Sequence, residues 1–265
     1  MKTPSHGTLL ISMSTKTFSS KRQKKAQSKK LQKTVMSHAA AAAYNGSMED
    51  VYLKYRICYQ KTGNLKYISH LDMQRMFQRA LRRAGIEIEY SKGFNPHPKL
   101  TYSPPLPLFA ESLEEYIDLS SNNDINTDKL KKSLPEGIAI NSIEEISESS
   151  VPLSSLISFA EYNISICAEK PFELSNKLKN IYENAKELKI TKFNKKKIKT
   201  EKNILPLIRN AYFSADEKNV FIRCILSAKN ETLLNPFLFA QSLFQKSELN
   251  FQTYDVNVLK IKTHP

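Results

Sequence analysis

The chain has 265 residues, 12 prolines, only 6 glycines and a formal net charge of +14. That length supports one large or two small hydrophobic cores, and the absence of any run of roughly 18 apolar residues excludes a membrane-spanning helix. Cys58, Cys167 and Cys224 lie too far apart for a disulfide framework or a thiolate metal site, so buried free thiols in a reducing cytoplasm are expected.

The positive charge is unevenly placed. Residues 1–47 contain eight lysines, one arginine and no acid, which is +9 and leaves +5 for the remainder. This Ser/Lys-rich stretch, ending in HAAAAAYNGS, has no apolar periodicity and is expected to be a disordered basic tail. Its TLLIS segment is too short for a signal-peptide core. An organelle transit peptide and a true start at Met48 are the two alternatives for the tail.

From residue 51 the pattern becomes that of a folded domain. Residues 51–60, VYLKYRICYQ, alternate with Leu53, Tyr55, Ile57 and Tyr59 on one side, which predicts a strand. After a loop containing Gly63, Ser69 can cap a helix starting at His70, with Asp72 in the positive first turn. Met73, Met76, Phe77, Ala80, Leu81 and Ala84 form one apolar stripe at helical spacing, and Gly85 suits the helix end. On the opposite side Arg75, Arg79, Arg82 and Arg83 fall within roughly 100° of one another, interleaved with Gln74 and Gln78 and no acid. A solvated helix surface is the plain alternative to a face that binds an anion.

A strand is expected over residues 86–90, followed by the loop SKGFNPHPKL. Gly93 supplies a positive φ, Pro96 holds Asn95 extended, and Pro98 blocks regular strand pairing. Lys92, Phe94, Asn95, His97 and Lys99 are thereby displayed on a stiff turn, unless Phe94 tucks into the core of a simple connector. Strands over 115–119 and 138–146 with a helix over 127–133 complete a β-α-β-β-α-β order.

The same order repeats. A strand is expected over 162–168, a helix over 171–188, a Lys-heavy strand or hairpin over 191–200, a hairpin over 212–214 and 220–228, a helix over 236–245 and a strand over 254–262. The expected architecture is therefore α+β, a tandem pair of ferredoxin-like modules at 48–147 and 160–265, with residues 147–159 as connector.

In a right-handed β-α-β unit the loops after the two strands and the helix N-terminus share one sheet edge. Lys61, Lys66, His70, Lys92, His97 and Lys99 are thus expected to gather there, with Tyr67, Phe94 and Tyr102 as rings on which unstacked bases could lie. Arg75, Arg79 and Arg82 would continue the track along a phosphate backbone. Ser69, His70 and Asp72 sit within one helical turn, where capping explains them more simply than a catalytic triad. His97 is the one general acid/base candidate, without a second group assigned to orient it. No phosphate-cradling glycine loop and no His or Cys pair at zinc spacing occurs, so no cofactor or metal is expected.

The block KTGNLKYISHLDMQRMFQRALRRAGIEIEYSKGFNPHPKLTYSPPLPLFAES, followed by EEYIDL, resembles the start of the radical-SAM-linked family. That is a domain of unknown function fused behind, or encoded beside, radical SAM proteins with a cobalamin-binding-type region. The SHLD and GFNPHP segments carry the resemblance, and LPEGIAI and SSLISFAEYNISI fit its layout more loosely. An Asp-Leu-Arg-Pro-like segment of the family is replaced here by KTEKNILPLI. The resemblance implies a radical SAM partner enzyme and a link to RNA metabolism, not an activity. The chain lacks clustered cysteines, so it cannot hold the partner's iron–sulfur cluster itself. The expected function is an RNA-binding or substrate-presenting accessory module. An enzyme acting on RNA through His97 and a protein-docking scaffold without RNA affinity are the alternatives.

Overall fold

Alternating apolar side chains make the strands and a 3.6-residue stripe makes the first helix. A computed structural model describes residues 52–193, 199–247 and 256–265, with the side chains of 192, 193 and 199 excepted. The basic tail at 1–47, Met48 and the middle of the Lys-heavy segment lie outside the described residues. Among the described residues no helix is long and apolar enough to cross a membrane.

The first half runs β1 (Leu53–Lys61), α1 (His70–Arg83), β2 (Leu100–Tyr102), β3 (Ala110–Ser121), α2 (Thr127–Ser133) and β4 (Ile138–Ile146). The second runs α3 (Leu153–Leu156), β5 (Phe159–Cys167), α4 (Pro171–Glu183), β6 (Lys189–Phe193), β7 (Lys199–Asn203), β8 (Ile208–Ala215), β9 (Asn219–Ser227), α5 (Pro236–Lys246) and β10 (Val256–His264). The result is a mixed α+β fold built on one eight-stranded mixed sheet, ordered β4-β1-β3-β10-β5-β9-β8, with β2 also on β3 and β6-β7 as a separate hairpin. Within the first half the order is β4-β1-β3-β2, and within the second β10-β5-β9-β8, every pair antiparallel.

The halves join through β3. Its C-terminal stretch pairs with β2 (Thr101 opposite Asp118), while on its N-terminal stretch β10 pairs in parallel, Val258 opposite Ala110 and Lys260 opposite Ser112. One sheet therefore passes through both halves, and the described residues all belong to one unit, Tyr52–Pro265.

Helix α1 begins where capping chemistry starts it. Ser69 Oγ accepts from Asp72 N at 3.2 Å, and the helix stops before Gly85, whose φ of 72° an L side chain resists. Phe77, Ala80 and Leu81 are fully buried, Phe77 against Tyr59 edge-on at 4.7 Å. Burial of a side chain like Phe77 contributes about 1.5–3 kcal/mol. Helices α1 and α2 cover the face of β1 and β3 that carries Tyr55, Ile57 and Leu119, and α4 and α5 cover the corresponding face of β5 and β9 around Tyr162, Ile164 and Ile222. The opposite sheet face holds ion pairs, including Arg56 to Asp118 at 2.7 Å and Glu161 to Arg223 at 2.5 Å.

Three expectations are corrected. Residues 86–90 make only isolated bridges, Ile88 to Ser121 and Tyr90 to Pro98, because the chain turns back on itself between Ser91 and His97 and β2 takes the place beside Ile117–Leu119 of β3, which leaves 86–90 only the last residues of that strand. Helix α4 ends at Glu183, where the Asn184 side chain donates to Asn180 O at 2.9 Å and turns the chain out. Cys58 and Cys224 are buried free thiols, but Cys167, at the end of β5, is exposed.

Candidate nucleic-acid interface

The loop after β1 is a short 3-10 turn, Gly63–Tyr67, that leads into α1. At the start of α1 lies a small cavity lined by Tyr59, Lys61, His70, Tyr102, Ser103 and Glu115, with Met73 and Leu106 as apolar wall. Three of the residues singled out in the sequence, Lys61, His70 and Tyr102, thus come together, whereas Lys92, His97 and Lys99 are not part of this lining.

Each polar group in the cavity has a defined setting. Lys61 is only 3% exposed, and its Nζ donates to Ile68 O at 3.3 Å. Burial lowers its pKa from the usual lysine range, with Glu115 opposing. Burial likewise lowers the His70 pKa, Glu115 opposing and Lys61 adding to the shift. His70 meets the Tyr102 ring edge-on at 5.8 Å, and its Nε2 lies 3.0 Å from Gln74 Nε2. Burial pushes the Tyr102 phenol up, which keeps it protonated, and its hydroxyl is sealed from solvent with no hydrogen-bond partner among the described residues. Glu115 Oε2 accepts from Ser103 Oγ at 2.7 Å. Its Oε1 lies 2.5 Å from Lys260 Nζ, an ion pair whose angles fall outside the hydrogen-bonding range.

The helix start does not form a triad. Ser69 Oγ donates to Asp72 Oδ2 at 2.7 Å, while His70 turns the other way, to Gln74 and Tyr102. Nearby, Tyr67 is exposed and meets Phe109 edge-on at 5.9 Å, with Lys66 Nζ 5.4 Å from the Tyr67 ring centre. Phe109 was not visible as special in the sequence. It has a φ of 69°, a conformation rare for an aromatic residue, and its N–H donates to Lys66 O at 2.8 Å.

The arginine face of α1 divides. Arg75 pairs with Asp72 at 3.2 Å, and Arg83 donates to Ser133 O at 2.5 Å, which ties α1 to α2. Arg79 and Arg82 are exposed, and neither forms an ion pair among the described residues. Arg82 and Gln78 line an open groove of about 220 Å³ together with Ile86, Glu87, Ile88 and Tyr90. The groove therefore connects the cationic helix face with the base of the proline loop.

That loop is a closed turn. Ser91 N donates to His97 O at 2.8 Å, His97 N to Ser91 Oγ at 2.9 Å, and Lys99 N to Glu89 O at 2.8 Å. Lys99 is neutralised by an ion pair with Glu89. Lys92, Phe94, Asn95 and His97 are exposed at the tip, Phe94 completely so, which settles that its ring does not tuck into the core. The His97 imidazole has no hydrogen-bond partner among the described residues that would orient it for acid/base work. Among the described residues no three His, Cys, Asp or Glu side chains cluster at metal-binding distance.

Glu115, Ser103 and Lys260 escaped the reading of local motifs. A signal existed in the alternation: Lys61 continues the inward series Tyr55, Ile57, Tyr59, Glu115 precedes Ile117 and Leu119, and Lys260 follows Val256 and Val258. A charged residue at an inward strand position marks a buried polar site.

A family model matches residues 54–236, which takes in the cavity's first-half lining, the arginine face and the loop. The chain belongs to that family, described as "Uncharacterized protein conserved in bacteria (DUF2344)". No curated protein matches it. Among solved structures, an unknown protein from Galdieria sulphuraria aligns with 80% of this chain and 100% of its own at 10% identity, with a TM-score of 0.24. A protein provisionally described as a glycine cleavage system transcriptional repressor aligns with 79% of this chain and 99% of its own at 9% identity, with a TM-score of 0.22. At that level of likeness neither carries an argument about this member of the DUF2344 family.

Proposed function

We propose that this protein is an RNA-binding or substrate-presenting accessory module for a radical SAM partner enzyme. The observation that carries the RNA part is the groove joining Gln78 and Arg82 to Tyr90, at the foot of a loop whose tip exposes Lys92, Phe94 and His97. Unpaired guanidinium groups supply phosphate contacts, and a ring held clear of the protein supplies a stacking platform for an unstacked base. The radical SAM partner enters through the resemblance of the block around SHLD and GFNPHP, and the partner would hold the iron–sulfur cluster. Each half's own strand order supports reading the chain as two ferredoxin-like modules fused through one sheet.

The test is titration of single-stranded RNA against the full chain at several salt concentrations. Binding with a steep salt slope and no change in the RNA supports the reading, and capture of a radical SAM protein supports the partnership. Absence of RNA affinity at low salt, with capture of the enzyme retained, would make the protein a docking scaffold instead.

A further inference from the structure

In β8 the Phe213 ring meets Tyr182 of α4, so its neighbour Tyr212 stands on the opposite face of the sheet, away from α4 and α5. The register sets Tyr212 directly across from Arg223 of β9. Both are open to solvent, Tyr212 62% exposed and the Arg223 side chain 64%.

This face is cationic. Strands β5, β8, β9 and β10 carry a single acid, Glu161, against Arg209, Arg223, Lys260 and Lys262. Lys260 turns to the helix side, to Glu115. Glu161 is buried and already surrounded: Arg223 Nε donates to it at 2.5 Å, His264 Nε2 lies 3.2 Å away and Lys262 Nζ 3.8 Å away. One carboxylate thus steadies cations from β9 and β10 without cancelling them all. At the border with β3, the Glu114 carboxylate is engaged by the N–H and hydroxyl of Thr263, which donate to it at 2.8 and 2.5 Å.

Flat surfaces lie among these charges. Asn210 Nδ2 donates to the Tyr212 hydroxyl at 2.6 Å, which steadies the ring. Arg209, exposed at the bulge of β8, lies over the Phe159 ring of β5, its guanidinium carbon 5.3 Å from the ring centre. Aromatic rings and guanidinium planes are the surfaces on which unpaired bases stack, and cations beside them meet the intervening phosphates. An acidic peptide would use the cations and leave the rings idle. Three strand spacings put β10 about 14 Å from β8, a width suited to the two or three bases that a four-stranded sheet of this kind stacks.

We propose that the open face of β8-β9-β5-β10 is a second binding surface for single-stranded nucleic acid, with a base on the Tyr212 ring and backbone phosphates at Arg209, Arg223 and Lys262. It shares no residue with the groove beside α1 and stands or falls separately from it.

The chain contains no tryptophan, so Tyr212→Trp in the full chain places one fluorophore at the site. Oligouridine is expected to quench its emission in a saturable way, as a base stacked on the indole does, whereas polyglutamate of equal charge is not. In parallel, the anisotropy of labelled oligouridine reports affinity at several salt concentrations. Tyr212→Ala should weaken binding about 5- to 150-fold with the salt slope preserved, and Tyr212→Phe should bind like the wild type. Lys262→Gln combined with Arg209→Gln should lower the slope by about 1.4. The nine cations of residues 1–47 add the same background to every variant, so the differences between variants carry the result. Should Tyr212→Ala unfold, the tryptophan signal and the double variant still decide.

Absence of quenching overturns the proposal, and so does equal quenching by polyglutamate, which would make the occupant an acidic protein. Wild-type affinity in Tyr212→Ala together with a wild-type slope in the double variant overturns it too. A variant combining Arg79→Gln, Arg82→Gln and Phe94→Ala separates the two surfaces. If that variant loses binding while Tyr212→Ala does not, the sheet face fails and the groove reading stands. If it binds like the wild type while Tyr212→Ala is weakened, the groove reading fails and the sheet face stands.

Discussion

Glu115 on β3 and Lys260 on β10 form a buried ion pair, 2.5 Å apart and each at least 95% shielded, between two residues from different halves of the chain. Such a pair adds little compared with well-packed apolar residues, but breaking it strands a charge. Lys260→Met should therefore destabilise the protein by about 3–5 kcal/mol, and Glu115→Leu added to it should restore much of the loss. Urea unfolding of the single and double variants checks this. Independent costs that simply add would show that the two residues do not act as a pair.

Among the described residues, Arg79 and Arg82 are the exposed guanidinium groups of α1 without a partner, whereas Arg75 serves Asp72 and Arg83 serves Ser133. Replacing Arg79 and Arg82 with Gln keeps helix propensity. The slope of log affinity against log salt for single-stranded RNA should fall by about 1.4, from roughly 0.7 for each contact. An unchanged slope would take the helix face out of the RNA interface.

Phe94 contributes nothing to packing, since its ring is wholly in solvent. Phe94→Ala should leave the urea midpoint within about 0.5 kcal/mol of wild type. RNA binding should weaken by about 1–3 kcal/mol with the salt slope preserved, the signature of a lost stacking platform. Full affinity in the variant would make the loop tip a bystander.

Gly137, between α2 and β4, has a φ of 90° and accepts from Thr62 N at 2.8 Å; a Cβ placed there would lie 2.6 Å from Thr62 O. Gly137→Ala combines backbone strain with a backbone clash, so a loss of about 1–3 kcal/mol or more is expected from denaturation curves.

The Glu161 carboxylate predicts an acid-sensitive component of stability. Burial raises its pKa, but Arg223, His264 and Lys262 outweigh burial and hold it below the usual glutamate value of 4.5. The folded pKa is the depressed one, so this stabilisation is present above about pH 4.5 and is lost as pH falls below it. Glu161→Gln should flatten the urea midpoint between about pH 3 and about pH 6 relative to wild type.

Local signals carried much of this fold. Ser69, Asp72 and Gly85 bracket α1, and helix α2 and strand β4 fall where the sequence placed them, at Thr127–Ser133 and Ile138–Ile146. The strand at 86–90 shrank to isolated bridges because apolar alternation does not report how a sheet edge is shared, and Leu100–Tyr102 took most of the β3 edge, leaving Ile88 only Ser121. The cationic helix face was legible, but its division into spent and free arginines was not, since that depends on Asp72 and on a carbonyl fifty residues away at Ser133. The cavity was half legible: Lys61, His70 and Tyr102 stood out, while Glu115 and Lys260 required knowing that β10 reaches β3.

The meeting of β3 and β10 also sets a timetable. On a translating ribosome β10 emerges last of the described strands, on the order of ten seconds after β3 at typical synthesis rates. Throughout that interval the Ala110–Ser112 stretch shows a bare backbone edge and Glu115 waits without its lysine. The nascent chain is therefore adhesive at one defined place until β10 arrives, and a polypeptide stalled before β10 remains so.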